Sequence, residues 1–348
     1  MEINYEIMPY EPQVPLKNYL LNLVSPNDSK ENSIYLRNVE SFIKEIWNEI
    51  VEMNWRKLNV RELIPKELGI SCSIFYAHKN GRKSISIQLL FKLLKLWEKY
   101  CNKSNDQVKQ KWDEIFNSNI YFVIHKKCQK TILPKTITPR LCYFLGWIVG
   151  DGSLAKKSNI YTIKISEKNK QQLELILSPL IKNLFGVNVP IFIGYGNGYR
   201  IQFGNKPIHR FLTKVLKIKT GEVPRFIKKL DEANKRYFLM GIFDSEGCVS
   251  KSRNRLTISQ AKLSFLEEII ELLNEMNIYP NGPTFHKTKL GVWYEVRVES
   301  KEEFLKFAKN IGSNHVEKFK LLQMWVNKIE NRDGRSSSSF GDCPKMAI

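Results

Sequence analysis

Two acidic residues stand at matching positions in two similar stretches of the chain, each directly before a glycine. The stretches are LCYFLGWIVGDG (residues 141–152) and YFLMGIFDSEG (residues 237–247), and the acids are Asp151 and Glu246. Both stretches are apolar enough to predict helices. A carboxylate at a helix C-terminus faces the negative end of the helix dipole and is mildly destabilising there. Because both predicted helices end in such an unfavourable carboxylate, the pair indicates a functional site.

Small residues recur with a spacing of four inside both predicted helices. They are Gly146 and Gly150 in the first and Gly241 and Ser245 in the second. This spacing places the small residues of each helix on one face. The glycines that follow the acids, Gly152 and Gly247, are expected to cap the helices in the left-handed conformation.

The composition predicts a globular protein with a polyanionic partner. The chain has 348 residues, 43% of them hydrophobic, which is enough for two or three domains. Its 55 Lys and Arg against 35 Asp and Glu give a formal charge of +20, which favours nucleic acid as a partner. The six cysteines form no C-x-x-C pair, so we expect a reduced, cytoplasmic protein. No apolar run approaches the length of a membrane span, so no membrane partner is expected.

Residues 1–130 are expected to form a mainly helical N-terminal domain, and residues 333–348 a disordered tail. Within the N-terminal domain, the predicted order of helices and turns in residues 58–100 resembles that of a repressor-type helix-turn-helix. Gly69 is the expected turn, and Ser71 is the expected N-cap of the second helix. The resemblance implies that three cations lie near DNA phosphates, namely Lys79, Arg82 and Lys83. A plain helical domain is the alternative.

From Thr138 onward the chain repeats one order of elements: helix, two strands, helix, two strands, helix. We place the first repeat at residues 138–225 and the second at 226–332, within a domain of residues 131–332. The period is longer than that of any solenoid repeat, so it indicates a duplicated α+β unit.

Alternation along the predicted strands gives each sheet one apolar face and one polar face. For example, Tyr161, Ile163 and Ile165 share a face opposite Lys164. The polar faces are rich in side chains that bond phosphates and base edges, which favours nucleic-acid binding over mere solvent exposure. The candidate contacts on and beside these strands are Lys164, Arg200, Gln202, Lys251, Arg253, Arg255, Lys287, Lys289 and Arg297.

The two acidic stretches resemble the paired motifs of the LAGLIDADG homing endonucleases, aligned as FLGWIVGDG (residues 144–152) and LMGIFDSEG (residues 239–247). The segments VPRFIKKLDEANKRY (residues 223–237) and IGSNHVEKFKLL (residues 311–322) are also similar to this family, so the resemblance covers about residues 138–331. It implies a pseudo-twofold, duplicated αββαββα domain that forms a β-sheet saddle for DNA. The two motif helices are then expected to pack together at the axis.

The same resemblance implies that Asp151 and Glu246 meet and act as catalytic, metal-binding residues, with Gly150 and Ser245 beside them in the metal site. Two adjacent carboxylates repel one another unless cations bind between them. Hard oxygen ligands suit Mg²⁺, with Mn²⁺ as a possible substitute. Such a site can activate water and stabilise the leaving oxygen of a phosphodiester, with one cut per strand.

The resemblance further implies a basic residue at the end of the second strand of each repeat, where it would support the acids. Lys168 fits this position in the first repeat. In the second repeat Ala261 falls there, with Lys262 one residue later. Either Lys262 substitutes for the missing lysine, or this half of the site is impaired.

The most favoured function is a metal-dependent, site-specific endonuclease for double-stranded DNA, acting as a monomer with internal pseudo-twofold symmetry. The chain ends lack the nucleophile and the His-Asn pair of an intein, so a free-standing protein is expected. Two alternatives stay open: a non-catalytic DNA-binding regulator built on the same fold, and an RNA maturase.

Overall fold

The structure is a computed structural model. It describes residues 8–9, 23, 34–54, 59–118, 120–123, 129–158, 160–194, 196–288 and 291–332. The predicted disordered tail, the candidate contact Lys289 and most of the N-terminal lead-in lie outside these ranges. No helix within them is both long enough and apolar enough to cross a membrane.

The N-terminal part of the described chain is built mainly of helices. They are α1 (Glu40–Asn54), α2 (Val60–Leu68), α3 (Cys72–Lys79), α4 (Ile87–Cys101) and α5 (Asn105–Asn117). Short strands accompany them: β1 (Met8–Pro9), β2 (Tyr35–Arg37), β3 (Ile85–Ser86), β4 (Tyr121–Val123) and β5 (Thr136–Ile137). Strand β2 pairs with β3 and β4, and β1 pairs with β5 just before the first motif helix.

The elements between residues 58 and 100 follow the predicted order. Helix α2 ends at Gly69, whose φ of 70° is left-handed, and α3 begins after Ser71, whose side chain accepts a hydrogen bond from the Ile74 N–H. This is a serine N-cap. A basic loop then leads to the longer helix α4. The helices and turns therefore occur in the predicted order, while the helix-turn-helix assignment, its DNA contacts and the domain boundary near residue 130 stay predictions.

The first repeat is αββαββα, as predicted. Its elements are α6 (Pro139–Val149), β6 (Gly152–Lys157), β7 (Ile160–Glu167), α7 (Lys170–Gln172), a π-helical turn (Leu173–Leu177), α8 (Ser178–Phe185), β8 (Ile191–Ile193), β9 (Tyr199–Gly204) and α9 (Lys206–Arg210), which continues as a second π-helical turn (Phe211–Val215). The four strands form an antiparallel sheet in the order β6-β7-β9-β8.

The second repeat has the same plan. Its elements are α10 (Glu232–Glu246), β10 (Gly247–Val249), β11 (Leu256–Gln260), α11 (Leu263–Glu275), β12 (Asn281–Thr288), β13 (Gly291–Val298), α12 (Lys301–Asn310) and α13 (Val316–Arg332). Its strands again form an antiparallel sheet, in the order β10-β11-β13-β12. The predicted α+β class and the duplicated arrangement are confirmed.

The predicted apolar strand faces are buried against the helices. Ile163, Ile165 and Ile258 are 4% exposed or less, and Tyr161 is 6% exposed. The exception is Val292, which the alternation assigns to the apolar face but which is 41% exposed. Alternation predicts which way a side chain points, but not whether a helix covers that part of the strand.

The two motif helices, α6 and α10, pack against each other through their small residues. A Cβ added to Gly146 would lie 2.8 Å from the Cα of Gly241, a distance that real Cβ atoms essentially never show. A Cβ on Gly150 would lie 3.0 Å from the Cβ of Ser245 and still closer to its hydroxyl. The residues spaced four apart therefore lie on the contact face of each helix. They are small because the two backbones touch there.

The predicted left-handed caps are wrong. Helix α6 ends at Val149, and Gly152 is absent from the residues with positive φ in the described ranges. Gly247 is extended, with φ −84° and ψ 161°. A Cβ on Gly152 would instead lie 2.8 Å from the Ile148 carbonyl carbon, and one on Gly247 would overlap the Phe243 ring. These glycines are required by close packing at the start of a strand.

Asp244 occupies the motif position at which the first repeat has Val149. Its side chain is completely buried and accepts hydrogen bonds from Tyr143 Oη at 2.7 Å, Ser313 Oγ at 2.5 Å and the Asn314 N–H at 2.9 Å. Burial raises the pKa of Asp244, and the charge of Lys318 and the hydroxyls of Ser313 and Tyr143 oppose the rise. The network joins the two motif helices to the segment before α13, so Asp244 has a structural role.

Replacing Tyr143 with phenylalanine is expected to lower the free energy of unfolding by about 1–3 kcal/mol, because it leaves buried Asp244 short of one donor. Urea denaturation measures the loss. Tyr279→Phe is the matched control: this ring is 57% exposed, so its change should be near zero. Equal effects of the two substitutions would show that the Asp244 network adds nothing to stability.

Candidate active site

The two motif helices end near each other and so bring Asp151 and Glu246 together. Glu246 is the last residue of α10, and Asp151 follows the end of α6 by two residues. Asp151 opens into a cavity that residues of both repeats line. Loss of hydration beside the surrounding protein raises the pKa of Asp151, as does the nearby Glu167 carboxylate, while Lys318 opposes the rise.

Glu246 is partly buried and strongly perturbed. Burial is the largest cause and the charge of Asp151 the second, and together they raise its pKa from 4.5 to about 7. A hydrogen bond of 3.0 Å from Gln260 Nε2 and the charge of Lys318 act in the opposite direction. The charge of Asp151 makes ionisation of Glu246 more costly, and a cation bound between the two carboxylates would relieve that cost.

The carboxylates of this site can hold a hard divalent cation only if other oxygen atoms, which are not from side chains, complete its coordination. No group of three or more His, Cys, Asp or Glu side chains suited to a metal occurs in the described ranges. Asp151 and Glu246 can supply two carboxylates, and Mg²⁺ commonly takes one or two carboxylates with water and phosphate oxygens. The Ser245 hydroxyl donates back to its own helix, to the carbonyls of Gly241 at 3.1 Å and Ile242 at 3.0 Å. A contact from Ser245 to a cation would use its carbonyl oxygen or a lone pair of its hydroxyl oxygen.

The structure adds a lysine that the sequence reasoning missed. Lys318, on α13, donates hydrogen bonds to the carbonyls of Phe243 at 3.0 Å and Asp244 at 2.6 Å, at the C-terminus of α10. A cation is favourable at this end of a helix dipole. Burial lowers the pKa of Lys318, while the charges of Asp244, Glu167 and Asp151 oppose the fall. The family-like segment of residues 311–322 was the available signal, but nothing in it distinguishes Lys318 from Lys320.

The cavity beside Asp151 has a volume of about 790 Å³ and a basic lining. The first repeat contributes Asp151, Lys164, Glu167, Lys168 and Arg200, and the second contributes Lys251, His315 and Lys318. Four of the predicted cations, Lys164, Lys168, Arg200 and Lys251, therefore line the same cavity as Asp151. Glu167 is held by the Asn169 N–H at 2.9 Å and lies 3.6 Å from His315 Nε2. His315 and the bonded Asn169 N–H favour its charged form, and its pKa is lowered although burial acts against this.

The two predicted supporting lysines lie in different surroundings. Gly152 pairs with Ile165 in the first sheet and Gly247 with Ile258 in the second, so Lys168 and Ala261 occupy equivalent positions. Lys168 lines the cavity. Lys262 instead forms an ion pair of 2.9 Å with Glu222.

The predicted contacts of the first sheet form a continuous basic patch. Lys164 stands opposite Gln202 across β7 and β9, and Ser166 stands opposite Arg200. Lys164 and Arg200 both line the cavity. This sheet therefore presents polar groups that lead directly to Asp151.

The predicted contacts of the second sheet are partly neutralised. Arg255 is ion-paired with Glu299, and Arg297 Nε lies 2.5 Å from Glu295. The remaining described candidates, Lys251, Arg253 and Lys287, are exposed. Alternation assigned the two arginines to the polar face correctly but did not reveal their acidic partners.

The N-terminal cations lie at the end of α3 and in the loop after it. Lys79 Nζ stands over the rings of Trp47 at 5.5 Å and Tyr76 at 4.8 Å, which holds it against the helices. Burial lowers its pKa, and the nearby charges of Lys44 and Arg61 add to this. Arg82 and Lys83 are exposed, so their reach toward a phosphate stays a prediction.

Without metal, the folded protein is expected to lose stability as the pH rises from about 5 to about 8. Folded Glu246 keeps its proton up to a pKa of about 7, whereas its ordinary pKa is 4.5, so the unfolded chain binds fewer protons in this window. Divalent cations should bind more tightly over the same rise, because binding requires the ionised carboxylate.

Urea denaturation across this pH range, with and without Mg²⁺, measures both effects. Glu246→Gln is the comparison, because it removes the titrating group and should flatten the slope. An unchanged slope in Glu246→Gln would assign the pH dependence to other groups.

Two helices packed through glycines, each leading to an acid and a four-stranded antiparallel sheet, define a LAGLIDADG-type fold with both repeats in one chain. Residues 233–312 match the sequence model of a LAGLIDADG-like domain. The predicted resemblance to the LAGLIDADG family is confirmed over these residues.

Similarities to curated proteins and to a solved structure cover part of this chain. The chain is 27% identical over 229 residues to an isomerizing glutamine–fructose-6-phosphate aminotransferase of Methanocaldococcus jannaschii, covering 64% of this chain but only 20% of that protein. It is 25% identical over 193 residues to the homing endonuclease I-ApeI of Aeropyrum pernix, covering 52% of this chain and 86% of that one. A crystal structure of I-DmoI in complex with DNA and Mn is 25% identical, with a TM-score of 0.40, and the match covers 51% of this chain and 98% of that one.

Proposed function

We propose that this chain is a site-specific endonuclease that cuts both strands of a DNA duplex, using a divalent cation held by Asp151 and Glu246. The observation that carries the proposal is the meeting of these two carboxylates at the ends of the packed motif helices, beside a cavity lined by lysines. Similarity to the homing endonuclease I-ApeI supports the reaction class.

In the proposed hydrolysis of a phosphodiester, the acids and the lysines of the site have different roles. When bound, a divalent cation supplies Lewis-acid polarisation of the phosphate and lowers the pKa of a bound water. Asp151 and Glu246 would hold it, with the carbonyls of Gly150 and Ser245 close by. Lys168 and Lys318 place ammonium groups where negative charge grows on the phosphate oxygens, and such preorganised charge stabilises the transition state.

The basic sheet faces support a duplex as the substrate. The excess of 55 basic over 35 acidic residues favours a polyanion, and the patch of Lys164, Arg200 and Gln202 leads toward the acids. A two-stranded ribbon fits the major groove of B-form DNA. We further propose that residues 1–130 form a separate helical unit whose Arg82 and Lys83 add phosphate contacts beyond the saddle, and that one chain acts as a monomer.

The test is a selection from randomised DNA duplexes, followed by a cleavage assay on the enriched sequence with Mg²⁺ or Mn²⁺. We expect one preferred site, cut on both strands, with cleavage lost when EDTA removes the cation. Binding without cleavage in either metal would contradict the nuclease proposal. An enriched site without any symmetry between its halves would argue against reading by both sheets.

A second candidate is a DNA-binding protein that no longer cuts. The observation that favours it is Ala261, an uncharged residue at the position equivalent to Lys168. The paired carboxylates argue against it, because a binding protein gains nothing from a repulsive acid pair. The cleavage assay separates the two functions.

A further inference from the structure

We propose that the protein contacts DNA beyond the saddle on one side only, the side of the first repeat, through a basic surface of the N-terminal helices that is held in a fixed position. The inference rests on the duplex binding of the proposed function and gives it a direction: the bound DNA has one long flank and one short flank. Its basis is the place at which the N-terminal helices are attached to the first sheet, together with the cations that they carry.

The first sheet runs outward from the cavity beside Asp151. Tyr199 pairs with Glu167 across β9 and β7, and both residues line the cavity. Gly204 pairs with Thr162 farther along the same two strands, after about 17 Å of extended chain. The residue that follows Gly204 therefore lies at the outer end of the sheet, away from the cavity.

The N-terminal part of the chain is attached at this outer end. Asn205 Nδ2 donates a hydrogen bond to the buried hydroxyl of Thr131 at 2.9 Å. Thr131 in turn exchanges two main-chain hydrogen bonds with Phe122, of 2.7 and 2.9 Å. Phe122 belongs to β4, which pairs with β2, and β2 pairs with β3. A ladder of strands thus connects the outer end of the first sheet to β3, at about 4.8 Å per strand.

Hydrogen bonds on both sides fix the segment that joins the N-terminal part to the first repeat. Toward the repeat, Gln129 donates to the Asn188 carbonyl at 3.2 Å and accepts from the Asn188 N–H at 2.9 Å. Toward the N-terminal part, Lys135 Nζ donates to the Ser118 carbonyl at 2.7 Å. Because this segment is bonded to both parts, it is a rigid connection and not a free linker.

A basic surface lies beside β3. It consists of the exposed or partly exposed cations of α1, α2, α3 and the loop that leads to β3, namely Lys44, Arg61, Lys79, Arg82 and Lys83. Burial and the charges of Lys44 and Arg61 lower the pKa of Lys79, so these three cations lie close together. The Lys83 N–H donates to the Ala77 carbonyl at 3.0 Å, which holds the loop against α3.

The cations of the basic surface differ from others on the same helices. Three lysines form ion pairs with acids of α1 or α2: Lys99 with Glu67, Lys103 with Glu49 and Lys111 with Glu45. Among the described residues no ion pair joins an acid to any cation of the basic surface, although the Glu40 side chain lies beside Gly81 in its loop. Like charges without acidic partners repel one another, and a row of phosphates would relieve that repulsion.

The second repeat has no equivalent of this attachment in the described chain. After β13 the described residues form only α12 and α13. Helix α13 packs back on the second repeat, where Trp325 Nε1 donates to the Ser250 carbonyl at 2.8 Å. The described chain therefore offers the flank beside the second sheet no surface comparable with the one beside β3.

The first measurement is the salt dependence of binding by the full chain to the duplex enriched by selection, in EDTA so that no cutting intervenes. Each phosphate contact contributes about 0.9 to the slope of log affinity against log salt concentration. Joint substitution of Arg82→Ala and Lys83→Ala is expected to lower this slope by about 2. Joint substitution of Lys44→Ala and Arg61→Ala should lower it as well.

The matched control removes two other lysines of the N-terminal helices. Lys95→Ala and Lys99→Ala together take away the same charge from exposed positions on α4, and Lys99 already has Glu67 as a partner. This double variant should leave the slope unchanged. An equal fall of the slope in the control and in the variants of the basic surface would overturn the inference, because the effect would then be one of net charge.

The second measurement locates the contact on the duplex. Single phosphates in each flank are replaced by uncharged methylphosphonates, and the affinity of the full chain is measured in EDTA. We expect affinity to fall only for a short run of adjacent phosphates in one flank, and this sensitivity to disappear when Arg82 and Lys83 are both alanine. Gln202→Ala, on the first sheet, should relax the base preference in one half of the site and so identify the half beside which the sensitive flank must lie.

The outcomes separate this inference from the proposed function. Equal sensitivity of both flanks, sensitivity beside the second half alone, or no sensitivity in either flank would overturn the inference and leave the nuclease proposal standing. A broad run of weakly sensitive phosphates would show a flexible attachment and would overturn it as well. A protein that shows the one-sided contact but cuts no DNA in Mg²⁺ or Mn²⁺ would contradict the nuclease proposal and support the inference.

Discussion

Replacing Glu246 with glutamine is expected to reduce DNA cleavage by at least about 10³-fold while DNA affinity stays within a few-fold of the unmodified protein. The glutamine amide is nearly the same size as the carboxylate, but it has no negative charge with which to bind a divalent cation. Several kcal/mol of transition-state stabilisation depend on that cation, and each 1.4 kcal/mol corresponds to a factor of about ten. Asp151→Asn should have the same effect.

Binding is expected to survive because, under the proposed function, the sheet faces and not the acids make most of the contacts with DNA. Removal of a negative charge near the phosphates should even strengthen binding slightly. Fold stability should also be kept above about pH 7, because the substitution removes a carboxylate whose ionisation is costly there. The measurements are single-turnover cleavage, an electrophoretic mobility shift at fixed salt, and urea denaturation.

Glu232→Gln is the matched control, because Glu232 begins the same helix and its side chain is 69% exposed. It should leave cleavage unchanged. If Glu246→Gln cuts DNA at the rate of Glu232→Gln, Glu246 has no part in the chemistry. If Glu246→Gln instead fails to bind DNA, the acid is needed for the shape of the saddle.

Replacing Gly241 with alanine is expected to destabilise the fold by about 3 kcal/mol or more, at the upper end of the cost of overpacking. A Cβ there would overlap the Tyr143 carbonyl oxygen and lie 3.0 Å from the Cα of Gly146. Both are main-chain atoms on α6 that cannot move aside without separating the helices. Because the helix ends carry the acids, cleavage should fall even in the fraction that stays folded.

Gly204→Ala is the matched control for this substitution. Gly204 lies in β9, and the nearest atom to an added Cβ would be the Tyr161 carbonyl oxygen at 3.8 Å, an ordinary contact. Urea denaturation of both variants gives the comparison. A loss of less than about 1 kcal/mol in Gly241→Ala would show that the helices can separate easily, contrary to their close packing.

Repetition in the sequence predicted most of the fold. Tyr161, Ile163 and Ile165 alternate along a strand and are buried, because the period of a strand is a local property. Small residues four apart predicted which face of each motif helix meets the other, and the structure confirms that face through Gly146 and Gly241. The left-handed caps at Gly152 and Gly247 were wrong because acid-glycine fits two local conformations, and only packing against Ile148 and Phe243 distinguishes them.

The sequence by itself determined the two acids, the order of elements and the face of each strand, because these follow from residue type and spacing over a few turns. Only the tertiary structure decided which distant side chains join Asp151 and Glu246. Lys318 reaches the site from the last described helix, whereas Lys262 forms an ion pair with Glu222. These contacts depend on how whole elements pack, and no short stretch of sequence encodes that geometry.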